Sequence, residues 1–151
     1  MSYRTTSWLI VMLMLVVCIG CKNKRRSSVP DYPVNIEIDL LTYPHFIPDN
    51  GFKVFLPPFT QSFKIDEYIG YAGVVVWVNT VNQYRAADLC CPHCLLKDKP
   101  VKVDGGFYAV CPTCGEEYDL SVAAFPTKGI ANEPLRPYDV EPRYQKILIR
   151  N

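Results

Sequence analysis

The sequence predicts a small all-β domain of antiparallel strands, and three observations support that class. No segment keeps a helical apolar period over ten residues, 13 of the 151 residues are proline, and ten tyrosines accompany several short valine-rich runs. Proline interrupts helices and the interiors of sheets, whereas valine and tyrosine favour extended backbone. Short runs in which apolar and polar residues alternate indicate half-buried strands that are joined by turns.

Individual strands follow from local patterns taken in chain order. Residues 34–40 alternate between apolar and polar side chains, which predicts a half-buried strand, whereas 73–78 is continuously apolar and predicts a buried one. Asp104-Gly105-Gly106 separates two short apolar runs and predicts a hairpin whose return strand leads into Cys111. The predicted strands cover 34–40, 52–56, 73–78, 83–89, 101–103, 107–110, 118–120 and 146–149.

The N-terminal region carries the pattern of an export signal. Residues 8–20 form an apolar run that ends in small residues, Arg4 precedes the run, and Cys21 follows it directly. This pattern resembles a secretory signal peptide with the lipobox of bacterial lipoproteins, although Cys18 stands where that family usually has leucine. The resemblance implies that residues 1–20 are removed and that Cys21 is the site of lipid attachment.

An uncleaved membrane anchor is the alternative for the same segment. The apolar run is about 13 residues long, which is shorter than the roughly 20 residues that a spanning helix needs. Basic residues cluster after the run, and for an uncleaved anchor they would favour a cytoplasmic C-terminal side. These basic residues are Lys22, Lys24, Arg25 and Arg26.

The sequence divides into a signal peptide (1–20), a lipidated cysteine with a tether (21–33) and a single domain (34–151). The tether is predicted because residues 22–33 are rich in lysine, arginine, serine and proline. We expect the protein in the cell envelope of a bacterium, held at a membrane by its lipid and facing the periplasm or the cell surface. Beyond residue 20, basic and acidic residues balance, which argues against a nucleic-acid partner.

Two short cysteine motifs carry the chemistry of this chain. They are Cys91-Pro92-His93-Cys94 and Cys111-Pro112-Thr113-Cys114-Gly115, with sixteen residues between them. Each motif places two candidate ligands on one tight turn, so the pair can close a four-ligand metal site made of thiolates, or of thiolates and one imidazole. In an oxidising compartment the same residues could form disulfides, although the five cysteines that follow Cys21 are an odd number.

The order of features around these motifs resembles the Rieske domain family over roughly residues 34–151. Seventeen residues separate His93 from Cys111, as in that family, and a loop of small residues, Pro-Leu and a tyrosine follow the second motif. The matching residues are Cys91, His93, Cys111, Gly115, Gly129, Pro134, Leu135 and Tyr138.

The resemblance implies a Rieske-like antiparallel β domain with two metal-binding loops that form zinc-ribbon-like knuckles. It implies a [2Fe–2S] cluster held by Cys91, His93, Cys111 and Cys114. It further implies one-electron transfer with a partner redox protein. We therefore expect a component of an oxidoreductase system and not an enzyme that turns over a substrate alone.

The chain departs from the family pattern at two positions of the second motif. Cys114 stands where the family has its second histidine, and Glu116 stands where it has a serine that hydrogen-bonds to the cluster. Exchanging a neutral imidazole for a thiolate adds negative charge and should lower the reduction potential.

A second ligand set follows from the spacing of the cysteines. Cys91, Cys94, Cys111 and Cys114 have the spacing of zinc ribbons and of rubredoxin-like iron sites. With zinc, or with disulfides, the chain would be a structural or interaction lipoprotein that keeps a Rieske-like fold without a redox cluster. The aromatic residues that flank the motifs, Tyr118 among them, are expected to be core residues.

Overall fold

The computed structural model describes residues 27–42, 51–57, 68–105 and 107–151. The predicted signal peptide (1–20) and the predicted lipid-attachment residue Cys21 lie outside these ranges. Helical structure in the described residues is limited to one short 3-10 turn, Leu120–Val122. Across the same residues, we find no helix with the length and apolar character that a membrane span requires.

Eleven strands form two antiparallel sheets in the described part of the chain. They are β1 (Val34–Asp39), β2 (Phe52–Phe55), β3 (Tyr68–Ile69), β4 (Val74–Val78), β5 (Tyr84–Asp88), β6 (Lys102–Val103), β7 (Tyr108–Val110), β8 (Glu117–Asp119), β9 (Phe125–Lys128), β10 (Pro137–Arg143) and β11 (Lys146–Arg150). The larger sheet has the order β2-β4-β5-β10-β11-β1-β3, and the smaller has the order β6-β7-β8-β9. The predicted all-β antiparallel class is confirmed.

Strand β4 explains how the two sheets share their cores. All five of its residues are buried, although an antiparallel strand commonly has one solvent-exposed face. Val74 and Val76 pack with side chains of β1 and β11, so the larger sheet curls around this first core. Val75 and Trp77 point to the opposite face and pack with residues of the smaller sheet and of both cysteine motifs.

Hydrogen bonds fix the smaller sheet against this second core. The indole Nε1 of Trp77 donates to the carbonyl of Leu120 at 2.7 Å, at the turn that follows β8. The amide of Leu135 donates to the carbonyl of Ala124 at 3.1 Å, which ties the predicted Pro-Leu segment to the same region. The smaller sheet and its loops are therefore anchored on the outer face of β4 and β5.

Most predicted strands are present, and the hairpin formed by β6 and β7 is confirmed by its pairing of Val103 with Ala109. Three strands, β3, β9 and β10, are absent from the prediction. Strand β10 contains two prolines, which argue against an ordinary central strand. It tolerates them because it changes partners: Pro137 and Tyr138 pair with β5, whereas 139–143 pair with β11.

The segment before β1 lies against the domain from residue 27 onward, within the region for which the sequence predicts a tether. Val29 is 1% exposed and packs with Ala72 and Cys90. The Arg136 guanidinium donates to the Val29 carbonyl at 2.7 Å and forms an ion pair with Asp31 at 2.6 Å. We call residues 27–32 the docked strap.

Asp88, at the end of β5, is a buried carboxyl group that joins several segments. It accepts hydrogen bonds from the amides of Tyr71 at 2.7 Å, Ala72 at 3.1 Å and Cys90 at 2.7 Å. The Tyr138 hydroxyl donates to it at 2.6 Å. Burial raises the pKa of Asp88 above its ordinary value, although these hydrogen bonds oppose the increase. The carboxyl therefore links the turn at 71–72, the residue that precedes the first cysteine motif, and β10.

We expect Asp88→Ala to lower the free energy of unfolding by at least about 3 kcal/mol, because several buried donors would lose their acceptor. Chemical denaturation followed by tryptophan fluorescence measures this change. Asp139→Ala, which removes an exposed carboxylate on β10, is the matched control and should cost less than about 0.5 kcal/mol. Equal effects of the two substitutions would contradict the linking role of Asp88.

Candidate metal centre

The two cysteine motifs adopt the same backbone turn. The Leu95 amide donates to the Cys91 carbonyl at 2.9 Å, and the Gly115 amide donates to the Cys111 carbonyl at 3.0 Å. Each turn ends in a left-handed residue, with φ of 56° at Leu95 and 74° at Gly115. Glycine adopts this conformation readily, whereas a leucine there costs about 1–2 kcal/mol. The motifs are therefore two equivalent knuckles.

Strands of both sheets position the knuckles to face each other. The first knuckle follows β5, where the Leu89 amide donates to the Gly73 carbonyl at 2.9 Å. The second knuckle connects β7 to β8, and the Cys111 amide donates to the Glu116 carbonyl at 2.8 Å across its base. Cys91 and Cys111 are each 1% exposed in the second core, whereas Cys94 and Cys114 lie nearer to solvent.

Four sulfur atoms converge between the knuckles. The Sγ atoms of Cys91, Cys94, Cys111 and Cys114 all lie within 4.8 Å of one another, and we call them the sulfur quartet. Between the knuckles, the Cys91 Sγ lies 3.7 Å from the Cys114 Sγ, and the Cys111 Sγ lies 3.8 Å from the Cys94 Sγ. A single tetrahedral ion with metal–sulfur bonds of about 2.3 Å has sulfur–sulfur edges of about 3.8 Å. The quartet therefore has the dimensions of a one-metal thiolate site.

His93 lies beside the quartet and in a different group. Its ring Nδ1 is 4.0 Å from the Cys94 Sγ. A ring nitrogen of His93, the Cys114 Sγ and a Glu116 carboxylate oxygen lie within 4.8 Å of one another. The structure thus brings together the four cysteines of the second predicted ligand set, with His93 at the edge next to Cys114. The role of His93 as a ligand stays a prediction.

A two-iron cluster would ask more of this arrangement than a single ion does. Its four ligands attach in pairs to two different irons, so ligand atoms on opposite irons lie farther apart than the edges of one tetrahedron. The sulfur quartet is too compact for such a cluster without movement of a knuckle.

Disulfide bonds are not formed among the described cysteines. Cys90, Cys91, Cys94, Cys111 and Cys114 are all free. The sulfur–sulfur separations of 3.7 and 3.8 Å far exceed the bond length of about 2.05 Å in a disulfide. The described sulfur atoms are therefore close to one another but not cross-linked.

The protein environment treats the four thiols differently. Burial disfavours ionisation of Cys111, but hydrogen bonds from the backbone of Cys114 and Thr113 outweigh it and hold the pKa of this thiol below its ordinary value. Burial raises the pKa values of Cys94 and Cys114. Without a metal ion, Cys111 is thus the thiol that ionises more readily than an ordinary cysteine, whereas Cys94 and Cys114 keep their protons at neutral pH.

Two further residues contact the site, and the sequence gives little sign of either role. Tyr118, fully buried on β8, places its hydroxyl 3.3 Å from the Cys91 Sγ. Burial and this contact raise the pKa of Tyr118, so the hydroxyl stays protonated and can donate to a thiolate. Glu116 is 1% exposed and accepts hydrogen bonds from the amides of Ile130 and Ala131. In the sequence, the only sign of the role of Tyr118 is its inward position on β8. An aromatic residue that merely fills the core would occupy the same kind of position.

Comparisons with known proteins leave the family open. No protein-family model and no curated protein matches the chain. One solved structure, described as Sphingomonas yanoikuyae B1 ferredoxin, is similar at 20% sequence identity and a TM-score of 0.38. The match covers 59% of this chain and 80% of the ferredoxin. A likeness of this size shows neither the family nor the function.

The raised pKa values of Cys94 and Cys114 predict a pH-dependent affinity for metal ions. Because an incoming ion must displace at least these two protons, the affinity should rise about 100-fold for each pH unit between pH 6 and 8. Competition between the protein and a chelator of known affinity for Co²⁺ measures this slope. An affinity that changes less than tenfold per unit would mean that the quartet is already ionised or does not bind the ion.

Proposed function

We propose that this chain is a metal–thiolate electron carrier that works outside the cytoplasm. Its centre is a single iron ion held by Cys91, Cys94, Cys111 and Cys114. The observation that carries the proposal is the pair of sulfur separations of 3.7 and 3.8 Å between the knuckles, which match the edges of a tetrahedral four-thiolate site. Bound iron would supply a one-electron couple, and the protein would set its potential and access.

The surroundings of the quartet favour a redox role over a purely structural one. Hydrogen bonds to ligand sulfurs tune the potentials of iron–thiolate centres, and Tyr118 is placed to make one with Cys91. Cys94 and Cys114 lie towards solvent, so an electron has a short exit at that edge. Cys91 and Cys111 are enclosed by the second core, which excludes water from the other side.

A Rieske-type [2Fe–2S] cluster held by Cys91, His93, Cys111 and Cys114 is the second candidate. It is favoured by the position of His93, which has a ring nitrogen within 4.8 Å of the Cys114 Sγ. The spacing of seventeen residues between His93 and Cys111 agrees with it. This candidate requires the two knuckles to separate enough for two irons, and Cys94 would then be a spare thiol.

Membrane attachment through Cys21 is part of the proposal and suggests the class of redox partner. The docked strap begins at residue 27, so five residues, 22–26, separate it from the proposed lipid. A connection of that length spans at most about 20 Å. Ser28 and His93 line the same cavity, so a lipid at Cys21 would hold the end of the domain that carries the cysteine motifs near the membrane. A partner that lies in or on the membrane fits this geometry best.

Metal and acid-labile sulfide analysis, with visible absorption, tests the proposal on protein purified without oxygen from iron-replete cells. We expect about one iron and no sulfide per chain, because four thiolates can complete the coordination of one ion. Two irons with two sulfides would support the Rieske-type candidate. Zinc alone, or no metal, would overturn electron transfer in favour of a structural or interaction lipoprotein.

Substitutions identify the ligand set independently of the metal. Cys94→Ser should abolish the iron absorption and His93→Ala should leave it unchanged, because the quartet contains Cys94 and excludes the imidazole. Cys90→Ala is the matched control, since Cys90 is a buried neighbour of Cys91 that lies outside the quartet. Loss of iron in His93→Ala with retention in Cys94→Ser would establish the Rieske register.

Tyr118→Phe tests the redox role. Removing the hydroxyl deletes the hydrogen bond to Cys91, leaves more electron density on the sulfur and should lower the reduction potential. A potentiometric titration measures the shift, and Tyr108→Phe, which removes an exposed hydroxyl on β7, should leave the potential unchanged. An unchanged potential in both variants would remove the main support for tuning by Tyr118.

A further inference from the structure

The Glu116 side chain is a buried carboxylate whose place in the fold is not explained by metal ligation. It is 1% exposed and lies two residues after Cys114, between the second knuckle and the start of β8. One of its oxygens lies within 4.8 Å of the Cys114 Sγ. A carboxylate beside the Cys114 sulfur adds negative charge to a site whose cysteines would bind a metal ion as thiolates. A buried carboxylate in this place needs hydrogen-bond donors that compensate for its charge.

The compensating contacts come from the loop 129–131, which we call the third loop. The Ile130 amide donates to one carboxylate oxygen at 2.5 Å. The Ala131 amide lies 3.1 and 3.0 Å from the two carboxylate oxygens and donates to both. Gly129 completes the fit, because its φ of 113° and its closeness to the carboxylate leave no room for a Cβ. These contacts join residues that are fourteen and fifteen positions apart in sequence.

The third loop lies beside the first knuckle and the core cluster that supports the sulfur quartet. Ala131 packs against the core cluster that contains Cys91 and Cys111, as does Cys94. On its outer side, Ile130 and Ala131 face Pro92 and His93 across a cavity of about 340 Å³. The Glu116 carboxylate thus holds together the second knuckle, on which it sits, and the third loop, which borders the first knuckle.

We infer that Glu116 is a positioning residue that latches the third loop beside the sulfur quartet and thereby slows the entry and exit of a divalent metal ion. This inference rests on the proposed metal centre, although the latch itself does not depend on which metal is bound. Ile130 and Ala131 can leave the site only when their hydrogen bonds to the carboxylate break. The carboxylate that holds this loop also lies within 4.8 Å of the Cys114 Sγ, so one side chain holds both the loop and the solvent-facing edge of the quartet.

Amide hydrogen exchange tests the latch directly on the full mature chain. In Glu116→Ala, the amides of Ile130 and Ala131 should exchange at least tenfold faster than in the parent protein, because they lose their acceptor. Glu116→Gln should be intermediate, since it keeps one carbonyl oxygen but turns an NH₂ group towards a donor. Glu117→Ala, which removes the neighbouring half-buried carboxylate that binds Thr127, should change these two amides less than twofold.

Release of Co²⁺ to excess chelator, followed by its thiolate absorption, tests the consequence of the latch. Glu116→Ala should release the ion at least tenfold faster, and Gly129→Ala should do the same without changing the charge. Gly105→Ala is the control for the second substitution, because a Cβ there meets nothing within 4 Å. Unchanged amide exchange in Glu116→Ala would overturn the latch. Fast exchange with unchanged release would overturn its role at the metal site, and failure of the parent protein to bind Co²⁺ would overturn both that role and the proposed centre.

Discussion

The convergence of four cysteine sulfurs is the constraint on which the rest of the smaller sheet depends. Four thiolates within 4.8 Å of one another repel strongly, so the metal-free protein must keep some of them protonated. Burial is the main cause of the raised pKa values of Cys94 and Cys114, and a hydrogen bond with Cys111 adds to it in both. A bound cation would remove both the repulsion and the protons. Metal binding, proton release and order in the knuckles are therefore three aspects of one equilibrium.

The centre is coupled to the larger sheet through the second core. Cys91 and Cys111 are members of the same buried cluster as Val75 and Trp77, whose neighbours Val74 and Val76 fill the first core. Strand β4 is buried on both faces, and the larger sheet holds one of them in place. A shift of the smaller sheet would therefore break the contacts on the other face. This arrangement gives two short knuckles a rigid base, which a loop-borne site otherwise lacks.

Local patterns in the sequence were sufficient where structure depends on neighbouring residues. The alternation at 34–40 and the turn after Val103 each specify a strand or a hairpin by themselves, and both are present. Strand β10 instead pairs first with β5 and then with β11, and this change of partners decides where its prolines are tolerated. Because the partners are distant in sequence, the local pattern does not indicate a strand there. The docked strap is similar: a polar composition indicates a tether, but one valine and an ion pair between Arg136 and Asp31 dock it.

The candidate site shows the same division. Spacing alone identified the knuckles, because each motif closes its own turn by a hydrogen bond across four residues. The choice between Cys94 and His93 concerns adjacent residues, of which only Cys94 joins the quartet, and the sequence carries no information on which side chain does so. Tyr118 and Glu116 act through contacts with residues 27 and 14 positions away, which only the pairing of β8 brings together with the knuckles.

Tyr118 and Glu116 influence the centre in opposite directions. The Tyr118 hydroxyl withdraws electron density from the Cys91 sulfur and favours the more reduced, more negatively charged state of a bound iron. The Glu116 carboxylate adds negative charge near Cys114 and would favour the oxidised state of a bound iron. Its hydrogen bonds to the third loop partly neutralise that charge, so a change that loosens the loop would strengthen the effect of the carboxylate on the sulfurs. Loop position and charge at the centre are thus linked through a single side chain, and a docking partner that moved the third loop would alter the electron affinity of the site without touching a ligand.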